Sequence, residues 1–307
     1  MTHRAMGWLL ALALPLGPAL ADCAVEKAFT RPDEGGSRRV QVYAAPAEPG
    51  LGGARPLLFV SPLKVNTDGT RKSYNRHDPR AKTLAINDMR NAMRRGRTIA
   101  EFQAIAAANW QPLATTWAVL SDKVIEKNAQ TGAPCEDAQG YLVSMTSDVA
   151  VAGGFNRVGD CRQDKWIDAL AIPALVLPMP NGAPTQFTTA GAVSRSPVVA
   201  MTLNAAGNVA LGLVGDAGPA DELGEASVAM NRQLNGLAAS DEPKHYQDAV
   251  ARFQAPESVV MVFPGSGNRV ARPITAASTQ AQVAARFQAW GGKARLAQCV
   301  AAMRALP

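Results

Sequence analysis

Along this chain, apolar residues come in short bursts, and glycine, proline or asparagine closes most of them. Leu57 to Pro62 and Val259 to Phe263 are apolar runs of strand length, the second stopped by Pro264-Gly265-Ser266-Gly267. Val198 to Leu203 and Val209 to Val214 are two more, joined by Asn204-Ala205-Ala206-Gly207-Asn208, which reads as a hairpin with a glycine-containing turn. Arg39 to Tyr43, Tyr141 to Met145 and Ala169 to Leu177 complete the expected strands.

The period changes between about 80 and 129. Ile86, Met89 and Met93 fall at i, i+3 and i+7. Thr98-Ile99-Ala100-Glu101 has the form of a capping box, and Ile99, Phe102, Ala106 and Trp110 continue one face. A second helix is expected at Ala226 to Leu237. A last one is expected from Thr279, where Thr279-Gln280-Ala281-Gln282 is a second capping-box pattern and Val283, Phe287 and Trp290 share a face. Short strands with scattered helices predict an α+β fold: a small mixed or antiparallel β-barrel core with a helical insertion at about 80–129 and a C-terminal helix.

Composition narrows the class. With 47% hydrophobic and 18% charged residues in 307, the chain is too apolar for disorder. His3 and Arg4, the apolar run Trp8 to Leu16 and the small residues Ala19-Leu20-Ala21 read as a signal peptide over 1–21. That leaves 22–307 as a single domain, secreted or periplasmic and without a membrane span. Losing Arg4 lowers the formal charge from +6 to +5. Four cysteines in an oxidising compartment suggest two disulfides. Three connectivities are open. Cys135–Cys161 would close a loop-rich segment, and Cys23–Cys299 would tie the termini together. Beyond the leader only His77 and His245 remain and there is no CxxC pair, so no metal and no other cofactor is expected. Arg90, Arg94, Arg95 and Arg97 read as a solvated helix face, not as a nucleic-acid site.

The candidate chemistry lies at Gly215-Asp216-Ala217-Gly218-Pro219-Ala220-Asp221-Glu222-Leu223-Gly224-Glu225-Ala226-Ser227. Asp216 and Glu225 stand nine positions apart around a Gly-Pro turn. Two carboxylates flanking a cleft are the minimum equipment for hydrolysing a glycosidic bond. With Val209 to Val214 leading in, this block resembles the signature of glycoside hydrolase family 75, the fungal-type chitosanases. Lys64-Val65-Asn66-Thr67-Asp68-Gly69 resembles the family's acidic block, and Ile172 to Pro178 and Val260 to Gly265 resemble its flanking strands.

The resemblance implies that Asp216 and Glu225 are the catalytic pair of an inverting hydrolase acting on β-1,4-linked amino-sugar polysaccharide, chitosan by default. The Asp-Gly-Pro turn also resembles double-psi β-barrels, including family 45 cellulases and the rare lipoprotein A domain, which implies a six-stranded barrel with a carboxylate-lined groove. Asp68 is expected to contact a sugar amine or hydroxyl and Tyr74 to stack on a pyranose face, with Lys64 and Asp221 completing the substrate-binding set. Glu225, placed at the start of the helix over 226–237, would be favoured in its ionised form by the helix dipole and act as base. Asp216, at the end of a buried strand, would be desolvated and act as acid. Peptidoglycan is an alternative substrate, and a non-catalytic carbohydrate- or envelope-binding protein is an alternative outcome. The chain is expected to be a monomer.

Overall fold

The computed structural model describes residues 23–33, 36–48, 52–149, 159–178, 185–193, 195, 197–202, 207–218 and 223–307. The expected leader and Asp221 lie outside them. The molecule is α+β. Ten strands are placed as β1 (Glu26–Pro32), β2 (Arg39–Ala44), β3 (Leu57–Asn66), β4 (Tyr74–Asn75), β5 (Tyr141–Leu142), β6 (Ala174–Pro178), β7 (Pro197–Thr202), β8 (Val209–Gly218), β9 (Glu225–Ser227) and β10 (Ala255–Val262). Six of them close a barrel in the order β3-β10-β7-β8-β6-β9, with β9 pairing back onto β3. β1 and β2 extend antiparallel from β3.

Two barrel pairings are parallel, β3 with β9 and β6 with β8; the other four are antiparallel. Exchanging β3, β6 and β7 for β8, β9 and β10 reproduces every neighbour and every strand direction. The barrel is therefore a topological pseudo-twofold, and its two parallel pairings are equivalent to each other.

Strand alternation sorts side chains into two cores. Phe59, Leu63, Leu175, Leu177, Val198, Val214, Ala226, Val260 and Val262 come from all six barrel strands and fill the interior. Val199, Leu213, Val259 and Met261 point outwards, onto Val283, Phe287 and Trp290 of helix α6.

Among the described residues there are seven α-helices: α1 (Ile99–Ala107), α2 (Leu113–Val119), α3 (Gln186–Thr189), α4 (Val228–Leu234), α5 (Tyr246–Phe253), α6 (Ala276–Trp290) and α7 (Gly292–Ala305). The α1 capping box forms as read, with Thr98 and Glu101 satisfying each other's backbone N–H groups. The α6 cap falls one turn earlier than read: Thr275 and Ser278 form the box, and Thr279 is buried inside the helix. Gly291, at φ 121°, ends α6 and lets the chain turn into α7. The expected helix over 226–237 shrinks to α4, because Glu225 to Ser227 pair as β9 between β3 and β6.

The segment between β3 and β6 carries its own small core, in which Tyr74, Met89, Phe102, Ile105, Trp110, Leu120, Ile125 and Leu142 pack together. It is less helical than its periodicity suggests. α1 and α2 are its only α-helices among the described residues, and the rest is the short β4–β5 pair, two 3-10 turns, other turns and isolated bridges. The Arg90–Arg97 run is exposed, and three of its guanidiniums pair with Asp88, Asp122 and Glu101.

Both expected disulfides are present. Cys23–Cys299 spans 276 positions and fastens α7 to the start of the described chain, while Cys135–Cys161 spans 26. Two structural disulfides fit an oxidising compartment. Among the described residues no helix is long and apolar enough to cross a membrane. Loop-closure entropy scales with the logarithm of loop length. Cys23→Ala/Cys299→Ala is therefore expected to lose roughly 5 kcal/mol in urea unfolding, and Cys135→Ala/Cys161→Ala roughly 3 kcal/mol. The reverse order would show that native-state contacts, not chain entropy, set the contribution of each bridge.

Candidate active site

The closing ladder of the barrel lines up the candidate residues. Lys64 of β3 pairs with Glu225 of β9, Glu225 with Val176 of β6, and Val176 with Asp216 of β8. Paired positions on neighbouring strands share a face, so Lys64, Glu225, Val176 and Asp216 form one row across four strands. Strands are spaced about 4.8 Å apart, which puts the Asp216 and Glu225 backbones about 9.5 Å apart. All four residues line one cleft of about 410 Å³. Its opposite wall is Asn87, Asn91 and Val124 of the insertion, with Tyr246 and Val250 of α5.

One extra residue aims Asp216. Leu175 pairs with Val214, but the next residue, Val176, pairs with Asp216, so Gly215 is a β-bulge. Val214 points into the barrel. Without the bulge, Asp216 would sit at the same phase and point inwards as well; with it, the carboxyl swings onto the cleft face. Gly215 is required sterically, since a Cβ there would come within 2.5 Å of Ala174 Cβ. At the other end of the nine-residue excursion, Gly224 has φ 117° and its carbonyl accepts from the Lys64 N–H at 2.8 Å. A Cβ on Gly224 would meet Ser61 Oγ at 2.5 Å, so the residue that registers Glu225 against Lys64 must also be glycine.

Asp216 is held by two N–H groups. Ala217 N donates to Oδ1 at 2.8 Å and Asn66 Nδ2 donates to Oδ2 at 3.2 Å. These donors do not offset its burial. Desolvation first, and then the negative charge of Asp68, push its carboxyl up to about 8. Its place at the end of β8 was expected to desolvate this carboxyl, and Asp216 keeps its proton at neutral pH.

Asp68 lies in the turn after β3. Its Oδ1 accepts from Ser144 Oγ at 3.0 Å and from Asn87 Nδ2 at 3.5 Å. Burial raises it to about 6, with hydrogen bonds from Tyr74, Ser144 and Asn87 opposing the rise. Asn66 connects it to Asp216, because the Asn66 Oδ1 accepts from the Asp68 N–H at 2.7 Å.

Two expectations change here. Tyr74 does not stack on a ligand: it is fully buried in the insertion core, its hydroxyl accepts from Asn87 Nδ2 at 2.8 Å, and burial and the nearby Asp68 carboxyl hold its own ionisation well above the usual tyrosine range. Asp68 lines the cleft within a hydrogen-bond network. Glu225 is not in the first turn of a helix. Ser227 caps α4 by accepting from Met230 N at 3.2 Å, and Glu225 lies two residues earlier in β9, so the dipole argument for its charge state does not apply. Lys64 lines the cleft as expected. Asp221 lies outside the described residues. The pattern of residues alone did not single out Asn66, Asn87 and Ser144: Asn66 lies beside the Asp68-Gly69 turn, but Asn87 and Ser144 are 19 and 76 positions from Asp68 and carry no local signal. Among the described residues no cluster of three or more His, Cys, Asp or Glu side chains is arranged to hold a metal ion.

Two outcomes are expected. Gly215→Ala should destabilise the protein by about 1–3 kcal/mol through overpacking and displace Asp216, and Ala174→Gly in the same chain should recover much of the loss in a double-mutant cycle. Additive losses would refute the contact. The second concerns pH. Folded Asp216 keeps its proton to about 8, whereas the unfolded chain releases it near the ordinary value of about 3.9. Unfolding therefore releases a proton across that window, and stability falls as pH rises through it. Asp216→Asn should melt several degrees above wild type at pH 8 and level with it near pH 4. A variant that melts lower at pH 8 would show that the carboxyl is not desolvated.

No protein-family model matches this chain, and no curated protein matches it.

Proposed function

We propose that the chain is an exported glycoside hydrolase that cleaves β-1,4 bonds in amino-sugar polysaccharide, chitosan first, by inversion at the anomeric carbon. The supporting observation is the pairing of Asp216 and Glu225 two strands apart on one face of one cleft, with Asp216 protonated at neutral pH. Inversion needs carboxyls roughly 6.5–9.5 Å apart, leaving room for a water between base and sugar. Two strand spacings match that range at the backbone, and the two side chains can tilt towards each other.

Asp216 donates its proton to the glycosidic oxygen as the bond to the anomeric carbon breaks. Glu225 takes a proton from a water on the opposite face of the ring, and the resulting hydroxide equivalent forms the new bond. The proton gained by Glu225 and the one lost by Asp216 equilibrate through solvent. Val176 stands between the two acids and gives the reacting centre an apolar floor. That keeps the effective dielectric low, where a proton donor with a raised pKa is most useful.

Lys64 favours a second reading. It brings an ammonium into the same cleft, in register with Glu225, and a cation there suits a glycan bearing carboxylates, as peptidoglycan does. Reducing-end release from chitosan and from cell-wall sacculi separates the two. Wild type is expected to act on chitosan, and Asp216→Asn and Glu225→Gln should each lower kcat by roughly 10²–10⁴-fold, with the product's anomeric configuration inverted by NMR. Release from sacculi alone moves the reading to peptidoglycan. Binding of either polymer without product makes the chain a carbohydrate-binding protein and overturns the catalytic reading.

A further inference from the structure

Inversion uses two carboxylates, yet the cleft floor holds a third, Asp68, which accepts from Ser144, Asn87 and Tyr74. We propose that Asp68 is a positioning residue for the acid: through the Asn66 bridge and its own negative charge it keeps the Asp216 proton in place and directed into the cleft. This role rests on the two-carboxylate reading of the cleft and adds the group that sets the acid's working range.

The geometry is a single hydrogen-bonded string. Asn91 Nδ2 donates to Asn87 Oδ1 at 2.6 Å, and Asn87 Nδ2 donates to the Tyr74 hydroxyl at 2.8 Å. Tyr74, Asn87 and Ser144 converge on the Asp68 carboxyl. Ser144 is itself pinned, since its Oγ accepts from the Gly69 N–H at 3.2 Å and its own N–H reaches Gln163 Oε1 at 3.1 Å. The Asp68 N–H then fixes the Asn66 amide, which leaves Nδ2 only one useful direction, towards Asp216 Oδ2. The Asn66 amide is therefore held by the Asp68 backbone, and the Asp68 carboxyl acts on Asp216 through its charge. Gly69 keeps the turn tight: it has φ 83°, and a Cβ there would lie 1.9 Å from the Ile167 carbonyl oxygen.

The order of ionisation gives the charge its effect. Both acids are raised chiefly by burial, Asp68 to about 6 and Asp216 to about 8. Asp68 loses its proton first, and its negative charge then opposes the ionisation of Asp216 across the pH range where the acid must stay loaded. Among the described residues the other titratable groups facing the pair are Glu225 on β9, Lys64 on β3, Tyr74 on β4 and Tyr246 on α5. β6 carries no titratable side chain, and β8 carries Asp216. Asp68 is linked to Asp216 by the Asn66 side chain, which accepts from the Asp68 backbone N–H and donates to the Asp216 carboxyl.

The test is a carboxyl-carbon NMR titration of protein labelled with ¹³C-aspartate, which needs no substrate. In wild type the Asp216 signal should show a small inflection where Asp68 ionises and its main step at higher pH. Asp68→Asn should abolish the inflection and move the main step to lower pH by roughly half a unit to one unit, while Asp68→Glu, which keeps the charge, should retain most of both. Wherever a substrate is cleaved, the alkaline limb of kcat should move with the NMR step. A single-step Asp216 curve in wild type, or an unmoved step in folded Asp68→Asn, overturns the proposal. Should Asp68→Asn fail to fold, the wild-type inflection decides alone. Coupling without any hydrolysis would leave the role of Asp68 standing and overturn the hydrolase reading; hydrolysis without coupling would do the reverse.

Discussion

The closing ladder, on which β9 joins β3 on one side and β6 on the other, is the constraint that the rest of the site depends on. β9 is only three residues long, yet it seals the barrel and carries Glu225. Its brevity is possible because both flanks are fixed by other means. Gly224 docks against β3, and Ser227 accepts from Ala174 N, donates to the Ile172 carbonyl and caps α4. The register of this short strand decides which residue faces Lys64 and Val176. A slip of one position would place Gly224 or Ala226 on the cleft face and bury a charge in the barrel. The Gly215 bulge does the complementary task on β8, so the placement of Asp216 and Glu225 and the closure of the barrel depend on the same strand pairings.

The chain buries carboxylates in two contrasting ways. Glu126 is fully enclosed and neutralised by the Lys165 ammonium, with further donors from Trp166 Nε1 and the Gly159 N–H. Asp160 closes the other side of Lys165, next to the Cys135–Cys161 bridge. This is the arrangement of an ion held for structure, with a countercharge in direct contact. Asp216 accepts from two neutral donors and has a second acid for a neighbour. Nothing in folding requires a desolvated carboxyl to sit beside another one, and the arrangement destabilises the ionised protein. Such a site is the kind that function, more than stability, accounts for.

The parts of the fold visible in the sequence were those set by local chemistry. The β7–β8 hairpin, the α1 capping box and the C-terminal amphipathic face follow from neighbouring residues, and the cysteine count implies two disulfides, of which the favoured pairing is the one found. What was hidden depends on distant partners. Glu225-Ala226-Ser227 continues smoothly into a helical pattern and becomes a strand only because β3 and β6 each have an edge to fill. α5 was missed because its apolar face is short and polar residues interrupt it. Tyr74 has the residue type of a sugar platform, and burial by a core built from residues 89 to 142 turned it into a support for Asp68. The candidate acids themselves could be read from the sequence; the amides and hydroxyls that set their protonation could not, since Asn66, Asn87 and Ser144 converge only after the insertion has folded against the barrel.

The pseudo-twofold sharpens what the residues, as distinct from the scaffold, contribute. Under the exchange of half-barrels Val176 is equivalent to Glu225 and Lys64 to Asp216, so the row across the closing ladder is centred on the symmetry axis. A symmetric row of four positions has two equivalent ends. This chain breaks the symmetry at both equivalent pairs, with the Glu225 carboxyl opposed to the apolar Val176 and the Lys64 ammonium opposed to the Asp216 carboxyl. The polarity runs along the row from Lys64 and Glu225 to Val176 and Asp216. Only one end of the row meets the Asn66–Asp68 string, because the insertion follows β3 and has no counterpart after β8, where six residues lead from Gly218 to Glu225. The barrel thus supplies the spacing and the insertion supplies the difference between the ends. Any account of which carboxyl is acid and which is base has to pass through that inserted segment.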